Sequence, residues 1–144
     1  MLLIIEDLKQ LDLDGIYRIY GAKPELYDYY LELFREKDAF CAVWFTDGSC
    51  RASLRIQRYE DGVLLSGLET APDDRRKGYG YALVTAVLDR LKQRGVHRVY
   101  SHIDRRNLPS QRLHKKCGFY KLRDSARLLD DTVTTKMDTL CIDI

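Results

Sequence analysis

Apolar residues recur along the chain with two periods, and the periods divide it into elements. Residues 2–5 form a short apolar run, read as a strand. Leu13, Ile16, Tyr17 and Tyr20 then stand at i, i+3, i+4 and i+7, with Asp12 placed as an N-cap and Gly21 as a stop, so a short helix is expected. Pro24 occupies a first helical position ahead of Leu26, Tyr27, Tyr30, Leu31 and Phe34, the stripe of a second helix. Strand-type runs follow at residues 40–45, 51–59 and 63–70, joined at Asp47-Gly48 and Asp61-Gly62, pairs that favour tight hairpins. Helical spacing returns with Val84, Val87, Leu88 and Leu91, and Gly95 ends that run. A strand at residues 96–103, a short helix at 107–116 that stops at Gly118, and two β-type runs at 120–129 and 132–142 complete the pattern.

The order β, α, α, β, β, β, α, β, α, β, β predicts an α/β (α+β) fold: one mixed sheet of about seven strands flanked by four helices. With 144 residues, the chain is read as a single domain, 1–144, with no internal repeat or linker. The opening residues meet Glu6 and Asp7 at once and resemble no signal peptide, and no apolar stretch reaches the length of a membrane span. Cys41, Cys50, Cys117 and Cys141 are scattered, with neither Cys-x-x-Cys nor a zinc-finger spacing. They are expected to be reduced thiols of a cytoplasmic protein, and no metal site is expected.

Charge changes the picture more than composition does. The net charge is +2, yet residues 73–123 hold 14 Lys/Arg against 4 Asp/Glu, and the remainder holds 10 against 18. Two solvated faces of opposite sign would account for this balance; the sharper reading is a basic half that holds an anionic ligand and an acidic half that receives a cationic one. The basic residues are not gathered around an aromatic stacking platform or a nucleic-acid reader motif, so no nucleic-acid partner is expected, and no membrane partner either.

The basic half contains the most informative segment, Arg75-Arg76-Lys77-Gly78-Tyr79-Gly80, between a strand and a helix predicted from Tyr81. Backbone N–H groups at a helix start lack intrahelical partners and the helix dipole favours negative charge there. Glycines at 78 and 80 remove the Cβ atoms that would hold a phosphate away from those amides. An exposed basic turn has the same composition. A phosphate-binding P-loop is excluded because the Gly-Lys-Ser/Thr ending is absent, and the dinucleotide fingerprint because position 83 is Leu.

Downstream the chain reads Asn107-Leu-Pro-Ser110-Gln-Arg-Leu113-His114-Lys-Lys116-Cys-Gly118-Phe119. Together with Arg75-x-x-Gly78-x-Gly80, this resembles the GNAT superfamily of acyl-CoA-dependent N-acyltransferases, and the element order extends the resemblance over nearly the whole chain. The resemblance implies a GNAT-like fold in which one strand pair splays to hold acetyl-CoA. It assigns the pyrophosphate to Arg75, Arg76, Lys77, Gly78, Tyr79, Gly80 and Tyr81, and the pantetheine arm to Leu68, Glu69 and Thr70. Asn107, Ser110 and His114 would line the other side, Asn107 doubling as a helix N-cap. Homodimers through the last strands are frequent among such proteins.

Acetyl transfer to an amine needs that amine neutral, and a lysine-type amine of pKa about 10.4 is only roughly 0.04% neutral at pH 7. His102, five residues before Asn107, stands where the family's ribosomal-protein alanine acetyltransferases carry a Glu base; a neutral imidazole can do that work. His114 replaces the Tyr that usually donates to the departing sulfur, a departure from the family pattern. Glu69 is the other base on offer. Each also has a bland reading, as a satisfied edge histidine or a salt-bridged carboxylate. The expected activity is acetyl transfer from acetyl-CoA to a primary amine of a small molecule or peptide by direct attack on the thioester. Glu25, Asp28, Glu32 and Asp38 would suit a cationic acceptor, and serve equally as solubilising helix charges. The alternative is a non-catalytic acyl-CoA-binding or regulatory module, and a longer acyl chain stays open.

Overall fold

The computed structural model describes all residues, 1–144. Nine strands and four helices follow in the order β1 (Leu2–Ile5), α1 (Leu13–Tyr20), α2 (Glu25–Leu33), β2 (Phe40–Thr46), β3 (Ser49–Tyr59), β4 (Gly62–Thr70), α3 (Tyr79–Gln93), β5 (Arg98–Asp104), α4 (Leu108–Lys116), β6 (Tyr120–Arg123), β7 (Ala126–Arg127), β8 (Val133–Thr134) and β9 (Met137–Asp143). Seven strands form one sheet in the order β1-β2-β3-β4-β5-β9-β6, antiparallel except for β4 against β5, and β7 and β8 form a separate hairpin. A parallel neighbour requires a crossover, and α3 supplies it.

The period-two pattern assigns each strand's faces. Ala52, Leu54 and Ile56 of β3, with Leu65, Val99 and Ile103, pack against Leu83, Val84, Val87, Leu88 and Leu91 of α3. Full burial of an aliphatic side chain contributes about 1.5–3 kcal/mol, so this stripe is the main hold of α3 on the sheet. On the opposite face, Cys41 and Val43 pack with Ile16 and Ile19 of α1 and with Tyr30 and Leu33 of α2.

Most expected elements appear, with shifted bounds. Asp12 caps α1, accepting from the Gly15 amide at 3.1 Å. Pro24 is the residue before α2 rather than its first, and α3 begins at Tyr79, so Gly80 is inside its first turn. Asp47 and Gly48 both have positive φ, as a two-residue hairpin requires. The second hairpin turns on Glu60 and Asp61 instead of Asp61-Gly62, because Tyr59 pairs with Gly62. Gly62 serves another purpose: a Cβ there would lie 2.1 Å from the Arg98 carbonyl oxygen, so its hydrogen lets β5 approach β4. The last two runs break into four strands: β6 pairs with β9 in the main sheet, whereas β7 and β8 pair only with each other.

Candidate functional site

β4 and β5 pair only over Val63–Val99, Leu64–Tyr100 and Leu65–Ser101. Beyond Leu65, β4 carries a bulge opposite Ser53 to Arg55, with Gly67 at φ 64°. A bulge bends its strand and raises the local twist. Here the Tyr20 hydroxyl of α1 also donates to the Gly67 carbonyl at 2.5 Å, holding the bulged segment on the β3 side. The strands therefore part, and a cavity of about 430 Å³ opens between them. Leu68, His102, Asn107, Ser110 and His114 line it; Arg75 to Gly80 lie outside it, and so do Glu69 and Thr70. Gly80 lets the start of α3 pack closely on α4 and the end of β4: an added Cβ there would sit 3.1 Å from Leu113 and 3.5 Å from Thr70 Oγ1.

The loop is set by Asp74, a buried carboxylate 2.7 Å from Arg18, 3.0 Å from Arg51 and 3.6 Å from Lys77. Burial raises its pKa, and the Arg18 hydrogen bond with the three cations outweighs that and holds it below the usual value. Arg76 at φ 64° and Gly78 at φ 84° then turn the chain into α3, which has no side-chain cap on its first amides. Arg75 pairs with Glu69 at 3.0 Å, whereas exposed Arg76 makes no ion pair. Tyr81 packs under Lys116, whose Nζ lies 4.2 Å from the ring centre, and Tyr79 packs on the core, with the Arg51 guanidinium 5.7 Å from its ring. The two tyrosine side chains are therefore engaged in packing, and only their backbone amides can serve the cradle.

The two histidines lie to opposite sides of β5, His102 on the strand itself and His114 on α4. His102 shares the face of Tyr100, its ring 5.3 Å edge-on from Tyr59, and its Nε2 is buried without a hydrogen-bond partner. Burial lowers its pKa; Arg123 and Arg127 add to the shift and Glu60 opposes it, so the ring is neutral at pH 7. His114 lies on the face of Ser101, is 1% exposed and packs edge-on against Phe119 at 4.9 Å. Its Nδ1 lies 2.8 Å from the Ser110 carbonyl oxygen and its Nε2 3.0 Å from Ser101 Oγ. A carbonyl only accepts, so Nδ1 carries the proton and Nε2 accepts from the Ser101 hydroxyl. Burial lowers this pKa as well, opposed by the Ser110 bond. In this tautomer the one N–H of neutral His114 is engaged by the Ser110 carbonyl, so donation to a sulfur would require the protonated ring. Glu69, the alternative base, is tied to Arg75. Asn107 caps α4, its Oδ1 accepting from the Ser110 amide at 3.2 Å.

Sequence reasoning missed Ser101 and Ser66, both on the cavity wall. The signal for Ser101 was present, as a lone hydroxyl on the apolar face that Val99 and Ile103 define. Beside the cavity, and sharing Tyr29 and Leu129 with it, lies a groove lined by Glu25, Asp28, Glu32 and Glu36 and by one cation, Arg35, which pairs with Glu32 at 2.8 Å. Asp38 is not part of that groove and pairs with Arg58 at 2.6 Å.

The strand pair thus parts beside an uncapped, glycine-bearing helix start, an arrangement suited to an extended ligand with an anionic end. The profile of the acetyltransferase (GNAT) family matches residues 5–119, and the chain belongs to that family. An aminoglycoside N(6')-acetyltransferase type 1 from Serratia marcescens is 42% identical over 57 residues, which span 40% of this chain and only 39% of that protein. Among solved structures, the ribosomal-protein-S18-alanine N-acetyltransferase of Escherichia coli has a TM-score of 0.74 at 20% identity, covering 100% of this chain and 94% of that one. The PaiA N-acetyltransferase of Thermoplasma acidophilum, solved with coenzyme A, has a TM-score of 0.73 at 16% identity, covering 100% and 99%. The fold is thus that of the family. No helix is long and apolar enough to cross a membrane.

Proposed function

We propose that this domain transfers an acetyl group from acetyl-CoA, a co-substrate consumed at each turnover, to a primary amine that bears positive charge. The observation that carries the reading is the opening between β4 and β5, with the basic loop beside it and a neutral imidazole on the far face. The free first amides of α3 and unpaired Arg76 suit a pyrophosphate. The β4 edge beyond Leu65, left without a β5 partner, offers backbone groups to the amides of the pantetheine arm.

His102 is the base in this reading. Its buried, unpartnered Nε2 has a lone pair to accept the amine proton, directly or through one water, as nitrogen attacks the thioester carbon. The acetyl carbon gains a C–N bond, the C–S bond breaks, and the sulfur leaves with the electron pair. Placement of the amine against the thioester supplies much of the acceleration. The groove of Glu25, Asp28, Glu32 and Glu36 beside the cavity favours acceptors with more than one positive charge, whether small molecules or peptides.

Calorimetry with acetyl-CoA, followed by thiol release over a panel of mono- and polyamines, tests the reading. Binding that weakens with dephospho-CoA, and turnover that rises with acceptor charge, are the expected results. Absence of acetyl-CoA binding would remove the proposal, and binding without thiol release on any amine would leave an acyl-CoA-binding module.

A further inference from the structure

The polarity that stops neutral His114 from donating to sulfur is the polarity of a nucleophile and its base. Ser101 Oγ donates to His114 Nε2 at 3.0 Å, and His114 Nδ1–H is fixed on the Ser110 carbonyl at 2.8 Å, so a third group orients the base. Phe119 sets the ring plane by its edge contact at 4.9 Å. This is the arrangement that activates a hydroxyl: nucleophile within reach of a neutral imidazole, whose tautomer is imposed from behind. Its place in the fold matters as much. Ser101 pairs with Leu65 as the last residue of β5 joined to β4, so its hydroxyl stands where the strands part, and both members of the pair line the cavity.

We propose that Ser101 and His114 form a nucleophile–base pair that accepts the acetyl group when no amine occupies the site, giving the domain a slow acetyl-CoA hydrolase activity. The inference rests on the acetyl-CoA reading above. In the first step a bond forms between Ser101 Oγ and the acetyl carbon, and the C–S bond breaks with its electron pair on sulfur. The serine proton moves to His114 Nε2, and the imidazolium then gives that proton to the sulfur, so coenzyme A leaves as the thiol. In the second step water attacks the acetyl-serine carbon and loses a proton to Nε2, which returns it to Ser101 Oγ as acetate departs. The sum is acetyl-CoA plus water giving acetate, a proton and coenzyme A. His114 reaches the sulfur as a proton donor only along this route. The reaction is slow because Ser101 is 3% exposed and its water must enter through the cavity.

The test uses the purified chain without amine, incubated with acetyl-CoA and, separately, with p-nitrophenyl acetate, an acetyl donor that needs no phosphate cradle. Acid-quenched protein is digested and the peptide containing Ser101 is weighed, while release of thiol or nitrophenolate is followed in time. One acetyl group on Ser101, or hydrolysis that disappears in both Ser101→Ala and His114→Gln, is the expected result. Ser101→Cys, which keeps the size of the side chain and offers a stronger nucleophile, should trap more acetyl than the parent. Melting curves of each variant separate lost chemistry from lost folding. Neither labelling nor Ser101-dependent hydrolysis from either donor would overturn the proposal. Labelling by p-nitrophenyl acetate without any binding of acetyl-CoA would uphold the pair and refute the acetyl-CoA reading instead.

Discussion

Gly78→Ala separates the backbone strain of the cradle from its ligand chemistry, because the same helix provides a matched control. Gly78 precedes α3 at φ 84°, and Gly95 follows its end at φ 84°; an added Cβ meets nothing within 4 Å at either site. Both alanines therefore carry conformational strain alone, about 1–2 kcal/mol for a left-handed L-residue. For a chain of this size that lowers Tm by about 2–8 °C. The two differ in where they stand on the helix. Gly78 immediately precedes the uncapped first amides of α3, where a pyrophosphate would lie in the reading proposed above; Gly95 follows the opposite end of the helix. Loss of one hydrogen bond to a charged group costs about 1.5–3 kcal/mol, or roughly tenfold to 150-fold in affinity. Calorimetric titration of acetyl-CoA into both variants, with melting curves alongside, should give similar Tm losses and a weakened Kd only for Gly78→Ala. Equal affinities in the two variants would refute the reasoning and return the loop to an exposed basic turn.

Three further outcomes follow from packing and protonation. Gly62→Ala places a Cβ 2.1 Å from the Arg98 carbonyl, a backbone atom that cannot swing aside, and should cost about 1–3 kcal/mol, read from urea unfolding; an unchanged midpoint would show that β4 and β5 do not depend on close approach there. His102 titrates below its ordinary 6.5, so kcat/KM, corrected for the amine's own ionisation, should hold above that pH and fall below it; His102→Gln should remove this limb and lower the rate about a hundredfold or more. His114 is also lowered by burial, so below about pH 6.5 the unfolded chain takes up a proton that the folded ring refuses. Its contribution is complete above that value and lost as pH falls through it, and unfolding free energies at pH 7.5 and 5.5 should converge more closely in His114→Gln than in the parent.

What the sequence determined by itself was whatever short-range chemistry controls. Asp12 and Asn107 cap their helices because a side-chain oxygen two or three residues ahead of a free amide reaches it in any context. Asp47-Gly48 turns because both residues tolerate positive φ. The paired motifs around Gly78 and Asn107 were legible for the same reason, since each is a local backbone device at a helix start, and with the element order they carried the family.

Tertiary structure decided what depends on groups far apart in the chain. The parting of β4 and β5 arises from a bulge held by Tyr20, 47 residues away from Gly67. Gly62, read as a turn residue, proved to be a point of close approach, which only the path of β5 reveals. Glu36 rather than Asp38 completes the acidic groove because Arg58, on a neighbouring strand, takes Asp38. The hydrogen-bond partners of His114 were decided in the same way. A sequence gives an imidazole at a helix position, but its tautomer follows from which atoms face its two nitrogens, here a backbone carbonyl one turn back and a serine on β5. Helical periodicity fixes a residue's face, whereas hydrogen-bond polarity is a property of the packed pair, and it is that polarity on which the proposed role of His114 as a base rests.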